Sequence, residues 1–136
     1  GLYYVAREVG KVMVKQNYGK IINLGSIHST VAMPGLGISA YVAAKGGVKM
    51  LTKALATEWA KYNITVNAIG PAYFESEMTQ DVIGDEDFQK AVQAYCPMCR
   101  VGSPGELDGA LIYFASDASR YCTGQLLSVD GGWTCI

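Results

Sequence analysis

Apolar positions near the start of the chain recur at intervals of three and four residues, which is the spacing of an amphipathic helix. The helix predicted from them ends near residues 17–19, and its apolar positions are Leu2, Val5, Val9, Val12 and Met13. The run Lys20–Gly25 is short and mainly apolar, as is typical of a buried parallel strand. A loop with glycine and proline then leads to a long helix, predicted from about Ser39 to about Tyr62 with Asn63 as its stop.

The second half of the chain continues this alternation. Residues 64–69 and 125–129 are predicted strands, and an Asp-Gly-Gly turn closes the second of them. Residues 71–100 mix loop with short helices. The Ser-Pro-Gly-Glu segment at 103–106 has the pattern of a capping box with proline at the first helical position. We therefore expect a further helix over about 104–116.

Strands that alternate with helices of this length imply right-handed parallel crossovers, with helices on the faces of one sheet. The chain is thus predicted to be α/β, with three parallel strands and flanking helices. Such an arrangement is typical of a doubly wound, Rossmann-type fold. Ligands of such sheets bind beyond the C-terminal ends of the strands. Ser26 follows the first predicted strand and Pro71 follows the second, so we expect both at one site.

A phenol and an ammonium stand four residues apart in the long predicted helix, as Tyr41 and Lys45. That spacing places both side chains on one face. A neighbouring ammonium favours the phenolate form, which suits the phenol to proton exchange with an alcohol. Ser26 can hold the reacting oxygen by a hydrogen bond. The plainer alternatives are a solvated lysine beside a half-buried tyrosine, and a cap or turn role for Ser26.

Composition and charge argue against several classes of function. Half of the 136 residues are hydrophobic and the formal net charge is −1, without a basic block that would favour nucleic acid. No long apolar run indicates a membrane span, and no signal-peptide pattern opens the chain. Four cysteines do not amount to a disulfide framework, so a cytoplasmic location is expected.

Cys96 and Cys99 form a C-x-x-C pair, the pattern of a redox dithiol or of half a zinc site. Redox dithiols usually follow a strand and open a helix, and no strand is predicted before Cys96. Cys122 and Cys135 stand alone, without a second pair to complete a metal site. We expect no metal site, and a thiol redox module remains as an alternative.

Four segments together resemble the short-chain dehydrogenase/reductase family, in the family's order and at nearly its spacing. They are GKIINLGSI at 19–27, YVAAKGG at 41–47, VNAIGP at 66–71 and SVDGG at 128–132. Segments 71–79 and 100–107 are most similar to gluconate 5-dehydrogenase-type members. The resemblance implies an enzyme that interconverts a secondary alcohol and a ketone with NAD or NADP. A sugar acid such as gluconate or 5-ketogluconate is the candidate substrate.

The resemblance also implies roles for individual residues. Tyr41 is the general acid/base, Lys45 supports it and binds the nicotinamide ribose, and Ser26 orients the substrate oxygen. Cofactor contacts are implied for Leu24, Tyr41, Lys45, Pro71, Ala72, Tyr73 and Ser76. Substrate contacts are implied for Ser26, His28, Tyr41 and Arg100. An ordinary loop role for His28 and a structural tie made by Arg100 stay open beside these.

The chain departs from the family pattern at Ala72, where glycine is usual, and at Ser76, where threonine is usual. An alanine forced to a positive φ would be strained, which leaves the local backbone an open question. The family's glycine-rich phosphate turn and catalytic asparagine would lie before Gly1. We therefore expect 1–136 to be a partial nucleotide-binding and catalytic domain whose N-terminal half is missing, with a substrate lid at about 73–100.

The partners implied are a small alcohol or ketone and further copies of the chain, as a tetramer in the full-length enzyme. A chain without the phosphate turn is expected to be inactive alone. The alternatives are a half-domain that serves only assembly, or a 3-oxoacyl-type reductase. The choice between NAD and NADP does not follow from the sequence, because the residue that reads the adenosine ribose belongs to the upstream half.

Overall fold

The computed structural model describes residues 1–77 and 79–135, so that Met78 and Ile136 lie outside the described chain. Helices and strands alternate as the hydrophobic pattern predicts. They are α1 (Leu2–Gln16), β1 (Gly19–Leu24), α2 (Ser39–Trp59), β2 (Ile64–Pro71), α3 (Gln80–Ile83), α4 (Glu86–Tyr95), α5 (Asp108–Ala115) and β3 (Leu126–Val129). Short 3₁₀ turns lie at Ile27–Ser29, Ala60–Tyr62 and Asp117–Ser119. None of the helices in these residues is both long and apolar enough to cross a membrane.

The three strands form one parallel sheet in the order β1-β2-β3. Residues Gly19–Leu24 of β1 pair with Ile64–Ile69 of β2. Residues Ala68–Pro71 of β2 pair with Leu126–Val129 of β3. β2 is buried along nearly its whole length, which fits its mainly apolar sequence, and Thr65 and Asn67 are its buried polar residues. The α/β fold with three parallel strands and flanking helices is thereby confirmed.

One core cluster joins α1 and α2 to the sheet. Its buried members are Ala6, Leu55, Ala56, Ile64 and Val66, and the partly buried hydrophobic residues around them include Met13, Ile21 and Trp59. Gly10 lies so close to the Trp59 indole that a Cβ atom there would stand 2.5 Å from the ring. Glycine at this position therefore lets the two helices approach. This packing holds α2, with its N-terminal turn, in a defined position along the sheet.

One helix end follows the sequence prediction and one helix start does not. Asn63 has a left-handed conformation with φ of 55° and ends the 3₁₀ turn that extends α2, as predicted. The helix expected from residue 104 begins instead at Asp108, because Gly105 has a φ of +88° that interrupts any helix. Half of the expected capping box does form, since Glu106 Oε2 accepts the Ser103 N–H at 2.7 Å.

Candidate active site

Ser26 lies directly beyond β1 and caps the 3₁₀ turn Ile27–Ser29. Its Oγ accepts the N–H of His28 at 3.2 Å, and the Ser29 hydroxyl accepts the N–H of Ser26 at 3.2 Å. The cap role considered from the sequence is thus present. It does not exhaust the hydroxyl, because an oxygen that accepts one hydrogen bond keeps its own O–H for donation. The cap holds this donor in place at the C-terminal edge of the sheet.

The Lys45 ammonium reaches from α2 to the end of β1. Its Nζ donates to the Leu24 carbonyl oxygen at 3.1 Å and lies 5.6 Å from the centre of the Tyr41 ring. An ammonium carries three N–H donors, so this bond leaves two for a ligand. The last residue of β1 therefore fixes a positive charge beside the phenol.

Tyr41 stands in the first turn of α2, with 45% of its surface exposed. Its ring meets the His28 ring edge-on, with centroids 5.9 Å apart and an interplanar angle of 77°. His28 is buried, and its Nδ1 lies 3.2 Å from the Val31 carbonyl oxygen. The Tyr41 phenol is thus accessible, and the His28 imidazole packs against its ring.

The chain beyond β2 brings a second phenol to this edge. Ala72 has no positive φ, since the non-glycine residues of the described chain with that conformation are Asn17, Asn63 and Cys99. Alanine therefore replaces the expected glycine without backbone strain. Burial raises the pKa of Tyr73 above its usual value, and the nearby Tyr41 phenol adds to the rise. The segment after β2 thus adds a partly buried phenol to this edge of the sheet.

Two hydroxyl groups organise the segment after Tyr73. The Ser76 and Thr79 side-chain oxygens lie 3.0 Å apart. Thr79 Oγ1 also donates to the Phe74 carbonyl oxygen at 2.7 Å and accepts the Ser76 N–H at 2.9 Å. The role of Thr79 could not be predicted from the sequence, because a lone threonine in a loop carries no distinctive pattern. Met78, which belongs to the resembling segment, lies outside the described residues.

A cavity of about 160 Å³ lies beside the ends of β2 and β3, with Tyr73 and Trp133 in its wall. The Tyr73 ring packs against Trp133 and Phe88, with centroids 5.2 Å and 5.0 Å apart. Phe88 belongs to α4, within the predicted lid. Through Tyr73, these ring contacts join α4 to the segment after β3 beside the cavity.

Arg100 lines this cavity, but its guanidinium is already engaged. Nη1 and Nη2 each donate to one Glu106 carboxylate oxygen at 2.7 Å, and Nη1 also donates to the Val101 carbonyl oxygen at 3.0 Å. The ion pair raises the pKa of Arg100 and lowers the pKa of Glu106 to about 2. This geometry supports the structural tie that the sequence analysis left open. A substrate carboxylate would have to compete with Glu106.

The C-x-x-C pair is divided between interior and surface. Cys96 is buried with Ile27, Val92 and Trp133, and its Sγ lies 3.3 Å from the Arg100 carbonyl oxygen. Cys99 is exposed and has a φ of 52°. Cys96 therefore serves packing between α4 and the last turn. Within residues 1–77 and 79–135, no group of three or more His, Cys, Asp or Glu side chains is placed to hold a metal ion.

Comparison with known proteins identifies the family. The family model described as enoyl-(acyl carrier protein) reductase matches residues 1–134, nearly the whole chain. The chain belongs to the short-chain dehydrogenase/reductase family. The resemblance drawn from the four sequence segments is confirmed.

Several family members with known names are similar to this chain. Gluconate 5-dehydrogenase of Gluconobacter oxydans is 40% identical over 133 residues, which cover 98% of this chain and 51% of that protein. The 5-keto-D-gluconate 5-reductase of Escherichia coli strain K12 is 41% identical over 131 residues, covering 96% and 51%. The chain thus spans about half the length of these curated relatives.

A solved structure shows the same fold. Gluconate 5-dehydrogenase from Burkholderia cenocepacia, in complex with NADP and tartrate, superposes with a TM-score of 0.93 at 40% identity. The match covers 100% of this chain and 52% of that one. The short-chain dehydrogenase/reductase fold therefore extends over all of the chain.

The donors at the C-terminal sheet edge suit the nicotinamide end of the cofactor used in this family. Lys45 keeps two N–H groups beside the phenol, and the Ser76 hydroxyl lies on the exposed segment after β2. Ala72 adds no backbone strain and no bulk beyond a methyl group. These residues fit a ribose and a carboxamide, both of which offer hydrogen-bonding oxygens.

Proposed function

We propose that the protein containing this chain is an NAD(P)-dependent dehydrogenase/reductase that interconverts a secondary alcohol and a ketone on a sugar acid. The proposal is supported by three groups near the end of β1, whose contacts run through the Leu24 carbonyl, His28 and the Tyr41 ring. They are the donor hydroxyl of Ser26, the accessible phenol of Tyr41 and the ammonium of Lys45 bound to the Leu24 carbonyl. A hydroxyl, an exchangeable phenolic proton and a fixed positive charge are the set that carbonyl reduction requires.

The chain's own residues would manage the proton. In reduction, Tyr41 gives its phenolic proton to the carbonyl oxygen, and in oxidation it takes that proton back. Ser26 donates a hydrogen bond to the same oxygen and so orients it. Lys45 stabilises the phenolate that remains after reduction, because its charge lies beside the ring. The cofactor supplies the hydride.

The residues proposed to hold the cofactor lie along the same edge. Lys45 and Tyr41 would bind the ribose, with Leu24 acting through the carbonyl that holds Lys45. Pro71, Ala72, Tyr73 and Ser76 would contact the nicotinamide and its carboxamide. Either NAD or NADP is compatible with this half of the site.

The sugar-acid proposal draws on the activities for which the relatives are named and on the polar residues near Tyr41. His28 and Arg100 remain the proposed substrate contacts beside Ser26 and Tyr41. A second candidate is a 3-oxoacyl-type reductase, which reduces the ketone of a 3-oxoacyl thioester, because the matching family model is described as enoyl-(acyl carrier protein) reductase. The two candidates differ in whether the substrate is a polyhydroxy anion or an acyl chain.

Turnover by the full-length protein that contains this chain distinguishes them. We expect oxidation of NADH or NADPH with 5-keto-D-gluconate, followed by absorbance at the nicotinamide band, and no comparable rate with a 3-oxoacyl thioester. The opposite preference would establish the second candidate. Residues 1–136 assayed alone are expected to be inactive.

We also propose that the complete enzyme is a cytoplasmic homo-oligomer, a tetramer by analogy with its family, and that residues 73–100 act as a substrate lid. The anchoring of α4 through Val92 and Cys96 supports a lid that is tethered at its C-terminal end. Limited proteolysis with and without cofactor tests the lid, since closure should protect residues 75–90. Equal cleavage in both states would contradict it.

A further inference from the structure

His28 occupies a special place beside the proposed reacting group. Its backbone N–H is bound to the Ser26 hydroxyl, and its ring packs edge-on against the Tyr41 ring. Only 5% of the residue is exposed. The imidazole therefore has one fixed position relative to both proposed catalytic side chains.

The hydrogen bond to Val31 determines the form of the ring. Nδ1 lies 3.2 Å from the Val31 carbonyl oxygen, and a carbonyl oxygen can only accept. Nδ1 must therefore carry the hydrogen. In the neutral ring Nε2 then carries no hydrogen, and its lone pair can accept a hydrogen bond.

This acceptor has no partner among the described residues, yet it is not sealed in the interior. Among those residues, the one buried side-chain nitrogen or oxygen atom without a hydrogen bond is Thr65 Oγ1. Nε2 of His28 must consequently reach the surface, although the rest of the side chain is buried. An open acceptor on a fixed ring next to an accessible phenol is suited to one donor from a ligand.

We infer that His28 is a specificity-determining residue that accepts a hydrogen bond from a hydroxyl group on a carbon adjacent to the reacting one. The inference rests on the proposed function and names its substrate class as vicinal polyols and hydroxyketones. Ser26 and Tyr41 both serve the reacting oxygen, so His28 contributes the acceptor that a second, neighbouring hydroxyl needs. A simple ketone would leave this acceptor without a partner and without water.

The physical cost of that mismatch is what creates selectivity. An acceptor that a bound substrate covers without offering a hydrogen bond costs about 1–3 kcal/mol, which corresponds to roughly five- to 150-fold in kcat/KM. Sites that hydrogen-bond a substrate hydroxyl therefore reject analogues that lack it far better than apolar pockets reject a missing methylene.

The test crosses two side-chain variants with two substrate analogues in the full-length protein. The substrates are 5-keto-D-gluconate and its 4-deoxy and 6-deoxy analogues, each of which lacks one hydroxyl beside the carbonyl. His28→Phe keeps a ring against Tyr41 but removes the acceptor, and His28→Gln keeps a hydrogen-bonding group. Melting temperatures establish that the variants are folded.

We expect the wild-type protein to prefer the parent substrate over one deoxy analogue by tenfold or more. In His28→Phe the preference ratio should fall towards one, and in His28→Gln it should be partly restored. A purely structural role for His28 would not change this ratio. Equal losses on all three substrates, or an unchanged ratio, would overturn the inference while leaving the proposed function intact. No turnover of any of them by the wild-type protein would refute the proposed function, and the inference with it.

Discussion

At the scale of single residues, the site depends on side chains whose hydrogen bonds are already partly committed. Ser26 accepts from His28, and Lys45 donates to Leu24, but each retains donors for a ligand. Arg100 retains few free N–H groups, because Nη1 and Nη2 of its guanidinium both donate to the Glu106 carboxylate. Two cationic side chains, Lys45 and Arg100, therefore differ in how many N–H groups remain for a ligand, because their partners in the folded chain differ.

Tyr41→Phe is expected to lower kcat by about a hundred- to ten-thousand-fold, because only the phenolic proton is removed. Cofactor affinity, measured by fluorescence titration with NADPH, should change little. Tyr121→Phe is the matched control, since Tyr121 is fully exposed. A near-normal kcat in Tyr41→Phe would remove Tyr41 from the mechanism.

Lys45→Ala should move the pH–rate profile of alcohol oxidation towards alkaline pH and weaken cofactor binding. Loss of the ammonium removes the charge that favours phenolate beside the Tyr41 ring. Lys49→Ala is the control, because Lys49 stands one turn further along α2 and bonds to Thr30 instead. If both variants gave the same profile as the wild type, Lys45 would be a surface residue only.

The Arg100–Glu106 pair makes a pH-dependent contribution to stability. The pKa of Glu106 in the folded chain is about 2, below its ordinary value of 4.5. The contribution is therefore complete above about pH 4.5 and is lost as the pH falls towards 2. Glu106→Gln should be less stable than the wild type near neutral pH, and the difference should shrink on acidification.

Urea unfolding at several pH values follows this change. Glu58→Gln, which removes an exposed carboxylate on α2, is the control for the loss of one surface negative charge. A difference between wild type and Glu106→Gln that stays constant from pH 7 to pH 2 would mean that the pair contributes nothing through ionisation.

At the scale of elements, the alignment of α2 along β1 decides where Tyr41 and Lys45 lie. A buried hydrogen bond sets this alignment, from Asn23 Nδ2 to Thr52 Oγ1 at 2.9 Å. Thr52 Oγ1 donates in turn to the Val48 carbonyl oxygen at 2.8 Å. Asn23 adjoins Leu24, whose carbonyl holds Lys45, so the two contacts connect the same strand and helix.

Thr52→Val should lower the free energy of unfolding by about 1–3 kcal/mol, because it leaves the Asn23 amide without its partner. Thr52→Ser, which keeps the hydroxyl, should recover part of the loss. Thr57→Val is the control at an exposed threonine of the same helix, with an expected change within about 0.5 kcal/mol. Chemical denaturation measures all three, and equal effects at both threonines would contradict the assignment.

At the scale of the whole molecule, the chain presents apolar surface that a monomer rarely tolerates. β1 is an edge of the described sheet, with backbone groups open to pairing. Leu2, Val5, Val9 and Val12 form an exposed stripe along α1, because they share one helical face and are not covered. The stripe and the edge strand are both surfaces that another chain can cover.

We therefore expect residues 1–136 to self-associate or aggregate when isolated at micromolar concentration. Sedimentation velocity measures the state, and a Val5→Glu/Val9→Glu variant should shift it towards smaller species. Lys11→Glu, a charge change on α1 outside the stripe, is the control. A cooperative, monodisperse wild-type monomer would show that these surfaces do not drive association.

The sequence by itself determined the order of helices and strands, the parallel sheet and the pairing of Tyr41 with Lys45. These depend on local periodicity and on an interval of one helical turn, which neighbouring residues specify. The four segments that resemble the family were likewise enough to identify it. Contacts between distant residues were decided only in the tertiary structure, because no local pattern encodes which partner a polar group meets.

Particular positions show the difference. Glu106 was predicted to cap a helix, and the folded chain brings Arg100 to its carboxylate while Gly105 turns the backbone away from helix. Ala72 raised a question of strain that only its actual φ answers. Nothing in the sequence connects Asn23 to Thr52 or indicates that Nε2 of His28 stays open. Those facts follow from packing, where burial makes each polar atom's partner energetically decisive.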